Sequence, residues 1–455
     1  MKKSKFFQIA AAVLFLFCAA EARADKKGDV TTITGFPSTL VYPSYWHTPF
    51  GLHRGTPFWL KVFLGTRTNF NNPQDLAATK LLVDFGKINK GRDDWQLTVY
   101  GVNSGNGEVI YNPSMHALAL FGSKGDGKGQ LMNPTGIACN EYGDIYVADT
   151  GNNRISRWFN DGKQVRFIRN IGEEGSEKGQ FLRPAYVELD SMGRIYVSDT
   201  GNNRIQIFDK SGGLIRVLDS KNGLSDPTGI AVTDENERYT GYRANKIFCI
   251  DAAGTRVLRF THEGKLEKSV RIDNIVQKDV KLTTLDLDYF GNVYAVDRLN
   301  SRIYKLNSDL DFIAGYGKHG TQDYEFDSPT GIAIYKHYGQ VFISDRESAQ
   351  YFWLGADVLN FTAKQIKPSE FQFEFLLTER ATITIEIEIQ GGNIEVCSRL
   401  CLEQGRNQVM WSVPPDFDGT LFKKGESYPV SVRAMATYSS YPHIQKLVRT
   451  MIFYE

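Results

Sequence analysis

The sequence predicts an all-β protein: six repeated four-stranded units arranged as a β-propeller, followed by a small antiparallel β-sandwich. Three observations carry that prediction. Forty-two glycines against fifteen prolines, with 22 Tyr and 29 Phe, favour many short strands joined by tight turns. One segment recurs at intervals of 46, 50, 52, 46 and 48 residues, counted between Asn103, Asp149, Asp199, Asp251, Asp297 and Asp345. After Val358 that period stops, and apolar residues alternate with polar ones instead. A chain of 455 residues is too long for one ordinary core and suits a repeat array with an appendage. With 53 basic against 52 acidic residues, the net charge of +1 argues against a nucleic-acid partner.

The repeat is clearest in two nearly verbatim copies. Pro134-Thr-Gly-Ile-Ala leads through Asp144-Ile-Tyr-Val-Ala-Asp149 to Thr150-Gly-Asn-Asn-Arg154, and Pro184 leads through Ile195-Tyr-Val-Ser-Asp199 to Thr200-Gly-Asn-Asn-Arg204. Weaker copies carry Asp251 with Arg256, Asp297 with Arg302, and Asp345 with Gln350 in place of the arginine. A degenerate first copy has Asn103 and Glu108. Each unit reads as four short strands, and the Gly and Asn residues between them accept the positive φ of tight hairpins. Four strands alone cannot bury both faces, whereas six units packed radially can, so the repeat count predicts six blades over residues 66–357. Gly122-Ser-Lys-Gly-Asp-Gly-Lys-Gly129, with counterparts at 172–179 and 315–321, falls between units and reads as an inter-blade loop rather than a phosphate cradle.

Upstream, residues 1–24 read as a secretory signal peptide: basic Met1 to Lys5, apolar Phe6 to Ala20, then Ala22-Arg23-Ala24 before the cut. The apolar run is shorter than the roughly 20 residues a membrane span needs, so no transmembrane segment is expected after cleavage. A secreted, periplasmic or cell-surface address follows. Cys18 is preceded by Phe17, where sites resembling the bacterial lipobox need a small residue. Residues 25–65, rich in aromatics and carrying His47 and His53, read as a strap packed on the propeller. Cys139, Cys249, Cys397 and Cys401 are expected as buried, unpaired, small apolar residues; on one strand, 397 and 401 would lie about 13 Å apart, beyond disulfide reach.

The motif Gly-x-Ile-Tyr-Val-x-Asp-Thr-Gly-Asn-Asn-Arg-Ile, preceded by Pro-Thr-Gly-Ile-Ala, resembles the NHL repeat over roughly residues 70–357. For its Asp/Arg positions (Asp149, Arg154, Asp199, Arg204, Asp251, Arg256, Asp297, Arg302 and Asp345) a structural role is expected. The carboxylate would accept backbone N–H groups of its bend and the guanidinium would pair with it. A ligand ring is the alternative, but Glu108 and Gln350 would leave that ring incomplete.

Residues 358–455 carry Phe371-Gln-Phe-Glu-Phe, Ala381-Thr-Ile-Thr-Ile, a Gln390-Gly-Gly-Asn393 hairpin, Gln408-Val-Met-Trp411 and Tyr428-Pro-Val-Ser-Val. They predict an Ig-like sandwich. Their order resembles the immunoglobulin-like domain of flagellar hook-capping proteins, and the resemblance implies an adhesive, spacer or export-related module.

Two kinds of six-bladed enzyme resemble this fold and place their chemistry in the channel. Peptidylglycine amidating lyases hold a catalytic zinc with histidines, but His116, His262, His319 and His337 show no paired metal spacing and none stands in a Pro-start strand. Lactonases of the gluconolactonase type bind calcium with carboxylate and amide oxygens. Here Asp75, Glu188 and Asp286 fall on the innermost strands, and Glu188 and Asp286 occupy a column that is Ala in other units. These three are the candidate metal ligands, with Ca2+ as the candidate ion; solvated channel lining is the other reading. The function expected is therefore a monomeric, exported scaffold for a protein or glycan ligand, and the alternative is a hydrolase or lyase using a divalent metal in the channel.

Overall fold

The computed structural model describes residues 30–34, 37–43, 53–84, 97–114, 117–414 and 422–455. The signal segment with Cys18, and also His47 and His116, lie outside the described residues. No helix among the described residues is long and apolar enough to cross a membrane.

The repeats fold as six antiparallel sheets. In the third, Pro184–Leu189, Ile195–Asp199, Arg204–Phe208 and Leu214–Leu218 pair in sequence order from the axis outwards. The six inner strands are Pro73–Thr79, Ile137–Cys139, Pro184–Leu189, Ile230–Thr233, Leu282–Leu287 and Gly331–Tyr335. Each packs beside the next and the sixth packs beside the first, so the sheets are blades of a closed β-propeller. The last blade has only three strands of its own; Leu40–Val41 from the strap adds the outermost, pairing Leu40 with Leu354 and Val41 with Trp353. The apolar cores lie between blades rather than within them. One layer, for example, joins Tyr100, Val109 and Phe121 of blade one to Ile137, Val147 and Trp158 of blade two.

The sandwich begins at Val358. A three-stranded sheet (Val358–Lys367, Glu370–Leu377, Gly405–Ser412) faces a sheet made by Ile444–Phe453, Ser427–Ala436, Ala381–Ile389 and Gly392–Leu402. Phe371, Phe373, Phe375 and Leu377 meet Ile383, Ile385, Ile387, Val430 and Val432 in its core. The sandwich is not wholly antiparallel, as expected from its own strands; Thr31–Ile33 of the strap joins Ile444–Phe453 in parallel. Continuing, the strap lays Leu40–Val41 and Arg54–Gly55 along blade six and ends in a helix, Pro57–Leu64, whose proline occupies the first turn.

The sandwich also docks directly on blades five and six. Lys305 Nζ lies 2.7 Å from Glu379 Oε2, both almost fully buried. Tyr438 stacks near Tyr289 and Phe290, with ring centroids at 5.5 and 5.7 Å, and donates to the Lys336 carbonyl. Ser439 Oγ donates to the Gly339 carbonyl at 2.9 Å. The cysteine expectation needs correction: all four are free, but only Cys249 is buried, Cys139 and Cys397 are half-buried and Cys401 is exposed. Gly392–Leu402 is an edge strand whose pairing is broken by two register shifts, which turns its side chains to solvent.

Candidate ligand site at the channel mouth

The Asp/Arg pairs are built into the seams between blades. Asp149 and Asp199 are fully buried, and each takes the N–H of the residue that leads into its own blade's first strand: Met132 and Leu182, both at 2.7 Å. On the other oxygen, Arg154 and Arg204 donate through Nε at 2.8 and 2.7 Å. The rest of the Arg204 guanidinium reaches the carbonyls of Ser176, Glu177 and Gln180, so the arginine clamps the inter-blade loop. Arg154 does the same with Asp126, Gly127 and Gln130. Asp251 and Arg256 form a two-bonded pair at 2.7 and 2.6 Å. In blade five Arg302 is exposed, and Tyr304 Oη donates to Asp297 at 3.0 Å in its stead. Asp345 accepts from Ser348 Oγ at 2.8 Å.

In blade six a residue with no place in the repeat motif takes part. Gln350 donates to the Glu325 carbonyl at 2.8 Å, the position equivalent to Gln180. The next two carbonyls, Thr321 and Gln322, take Arg54 of the strap, whose Nε also reaches Ser348. Arg54 thus supplies from outside the repeat the guanidinium that blade six lacks. In blade one the polarity is inverted: Asn103 Nδ2 donates to Glu108 Oε1 at 2.8 Å, while Asn103 Oδ1 still accepts the N–H of Asn71 at 2.7 Å.

Inside the channel, odd and even blades alternate. At one level blades two, four and six carry Gly136, Gly229 and Gly331, and a Cβ on each would fall 2.7 to 3.0 Å from the Cα of the next blade's inner strand. Blades three, five and one place Tyr186, Thr284 and Asp75 against those glycines. Thr284 Oγ1 donates to Tyr186 Oη at 3.0 Å, and Tyr186 Oη donates to Asp75 Oδ1 at 3.4 Å, forming a polar floor across the axis. Asp75 also accepts the Ile137 N–H at 3.0 Å; burial nevertheless pushes its carboxyl up to about 8.

Two residues along each strand, Glu188 and Asp286 stand among Ala77, Ala138, Ala231 and Ala333. Asp286 accepts the N–H groups of Leu287 at 2.7 Å and of Ile334, on the next blade, at 2.6 Å. Asp75 and Asp286 therefore do the same work, satisfying an inner-edge amide of the following blade that has no strand partner. Burial raises Asp286 to about 6 against the opposing pull of Lys336. Glu188 bonds only its neighbour Leu189 N–H at 2.8 Å and faces the cavity; burial and then the Asp286 charge push it well above the usual carboxylate range.

Above this level the channel widens into a cavity of about 1120 Å³. Its rim carries a column of planar groups: Arg238 over Tyr239 at 5.0 Å, Tyr239 on His337 at 4.0 Å, and His337 on Tyr338 at 4.0 Å. Lys336 Nζ meets Glu237 Oε1 at 2.6 Å beside them. Tyr142 and Met192, both exposed, complete the opposite rim. Of the sequence candidates, Glu188 and Asp286 share this cavity, while Asp75 lies below it at the floor. Among the described residues no group of three His, Cys, Asp or Glu is arranged to hold a metal ion. A hard cation that takes six to eight oxygens does not fit a set in which Asp286 is committed to two amides and an ammonium stands alongside. His262, the most buried of the described histidines, lies elsewhere, 3.1 Å from Arg194.

Fold and motif together define a β-propeller bearing NHL repeats, whose family model matches residues 131–158 and 181–208. The chain is similar to virginiamycin B lyase from Staphylococcus aureus, at 16% identity and TM-score 0.40 over 56% of this chain and 77% of that one. It is similar also to a streptogramin B lyase (13%, TM-score 0.42, 66% and 97%) and to a gluconolactonase from Xanthomonas campestris (13%, TM-score 0.41, 56% and 82%). At these values the likenesses carry no argument about chemistry. No curated protein matches the chain.

Proposed function

We propose that the protein is an exported, six-bladed NHL-repeat propeller that serves as a binding scaffold at the bacterial cell surface or in the periplasm. Its ligand is a glycan, taken at the channel mouth. The observation that carries this reading is the rim: the exposed Tyr142 ring stands across a wide well from the Tyr239–His337 stack, and the walls carry carboxyls and an ammonium. The Tyr142 ring supplies an apolar platform for the face of a sugar, and the surrounding donors and acceptors suit its hydroxyls. The channel carboxyls nearest the axis are engaged with backbone amides, which favours a structural over a catalytic use for Asp75 and Asp286. The C-terminal sandwich, of the hook-capping immunoglobulin-like kind, acts as a spacer or adhesive module beside that mouth.

A glycan array probed with the full chain tests the reading. Binding that Tyr142→Ala abolishes supports it; binding that Tyr142→Ala leaves intact moves the ligand off the mouth, and an array with no bound glycan overturns the glycan assignment. N-terminal sequencing of secreted protein should begin at Asp25, whereas protein retained with its leader would contradict export.

A further inference from the structure

Two connections at this mouth are longer than their counterparts. The link between the first and second strands is four residues in blades two and six (140–143, 336–339) and five in blades three and five (190–194, 288–292), but twelve in blade four (234–245) and eighteen in blade one (80–97), where 85–96 lie outside the described residues. The blade-four link is described throughout. Its two ends are well tied. Asp234 accepts the Ser191 N–H and hydroxyl of blade three at 2.9 and 2.7 Å, and Gly241 N–H donates to the Tyr289 carbonyl of blade five at 2.8 Å. Between these anchors the segment 236–239 crosses the mouth. Glu237 reaches Lys336 and Tyr239 reaches His337, both on blade six, while Arg238 comes within 4.0 Å of Glu141 on blade two. Among the contacts that hold the segment to the far side are a mostly buried ion pair, whose second Glu237 oxygen has no hydrogen-bond partner, and a ring stack. Beneath it lie Glu188, Asp286 and the half-buried Cys139, all facing the same cavity.

We propose that residues 236–239 form a latch across the channel mouth, held shut by Glu237 on Lys336 and Tyr239 on His337, and that its opening admits ligand to the well. The inference rests on the channel mouth being the binding site. Lys336 is the pivot. Burial opposes its charge, yet Glu237, Asp286 and Glu188 together keep it protonated more firmly than an ordinary lysine. A ligand that engages Glu188 or Asp286 therefore competes for the same ammonium that holds the latch.

Cys139 supplies a readout of access that needs no glycan. In the full chain with Cys18→Ser, Cys397→Ser and Cys401→Ser, the rate at which a water-soluble aromatic disulfide labels Cys139 reports how often the well is open. Glu237→Gln should raise that rate about threefold, the yield of losing one ion pair, and adding His337→Ala should raise it further, with the melting temperature unmoved. Trypsin cleavage after Arg238 should accelerate in parallel. An unchanged labelling rate and unchanged cleavage in Glu237→Gln overturn the latch. Labelling that rises only together with a lowered melting temperature also overturns it, since global opening then explains access. These readouts decide the latch even where the array finds no glycan, and a glycan that binds wild type and Glu237→Gln with equal association rates retains the site and removes the gate.

Discussion

The seam between blades two and three and the seam that closes the ring between blades six and one solve the same problem with different materials. The first lies within the repeat. Gly136 lets the inner strands touch, Ile171, Phe181 and Val187 fill the layer outside them, and Arg204 ties down its loop from within its own blade. At the closing seam the inner part is still repeat-like: Gly331 packs on Asp75, and Thr330 Oγ1 donates to the Pro73 carbonyl at 3.0 Å. Farther out, the repeat gives way. In blade one Asn103 and Glu108 stand where other blades have the Asp/Arg pair, and an apolar cavity of about 290 Å³ lies beneath the strap helix, lined by Trp59, Phe63 and Phe342 among others. Ring interiors are fixed by a pattern that recurs; the last joint is made by a segment with no copy elsewhere in the chain.

Loss of a repeat-encoded tie should cost most. Asp199→Ala leaves the buried Arg204 and the Leu182 N–H without their acceptor, and should lower unfolding stability by about 3 kcal/mol in urea titrations. Stability equal to wild type would mean that the buried carboxylate is not what holds the repeat seam. Next is a pH effect at the channel floor. Asp75 is raised from 3.8 to about 8 in the folded protein, so the folded state binds the proton more tightly than the unfolded chain. Its contribution is complete below pH 3.8 and is lost as pH rises through 8. Wild type should therefore weaken between pH 5 and 8.5 by about 2 kcal/mol, allowing for relaxation of the site, and Asp75→Asn should flatten that slope. A slope that survives the substitution assigns it to other groups, with Glu188 the first to examine.

The strap's tie on the loop that enters blade six should be worth less, because Arg54 is more exposed than Arg204. Arg54→Ala should cost about 1 kcal/mol, and Gln350→Arg in that background should restore part of the loss by putting the guanidinium back within the blade. Failure of this rescue would show that the strap contributes through its strand pairing rather than through its arginine. Smallest is the response to calcium: with no converging donor set, millimolar calcium should shift the melting temperature by less than about 1 °C. A larger shift that Glu188→Gln removes would reinstate the carboxyls as a cation site.

These contrasts also explain what was readable beforehand. Asp149 and Arg154 could be paired from spacing alone, because the motif recurs and each copy corroborates the next. Glu188 and Asp286 were conspicuous for a related reason, as acids in a column of alanines. Asp75 stood in the same strand family but two positions off that column, and a shift of two residues along a strand keeps the side chain on the channel face while moving it about 7 Å down the axis. That places it behind Tyr186. Arg54 was illegible because nothing local links it to Thr321, 267 residues away. The latch segment was equally silent, an insertion whose partners Lys336 and His337 sit on a blade reached only once the ring has closed. Cys401 is exposed against expectation because burial on an edge strand depends on register, and beyond two shifts it pairs with the outward-facing Thr382.

The path of the strap bears on how the molecule is made. Thr31–Ile33 pairs with Ile444–Phe453, and Leu40–Val41 pairs with Ala349–Leu354, so both strap segments find their partners several blades further along the chain. Contacts of such sequence separation form slowly, after the local hairpins of each blade. Until Leu40–Val41 has paired, blade six keeps an open edge, the kind of surface that invites pairing with another chain. The strap thus works as a clasp: it protects an edge that the repeats alone would leave bare.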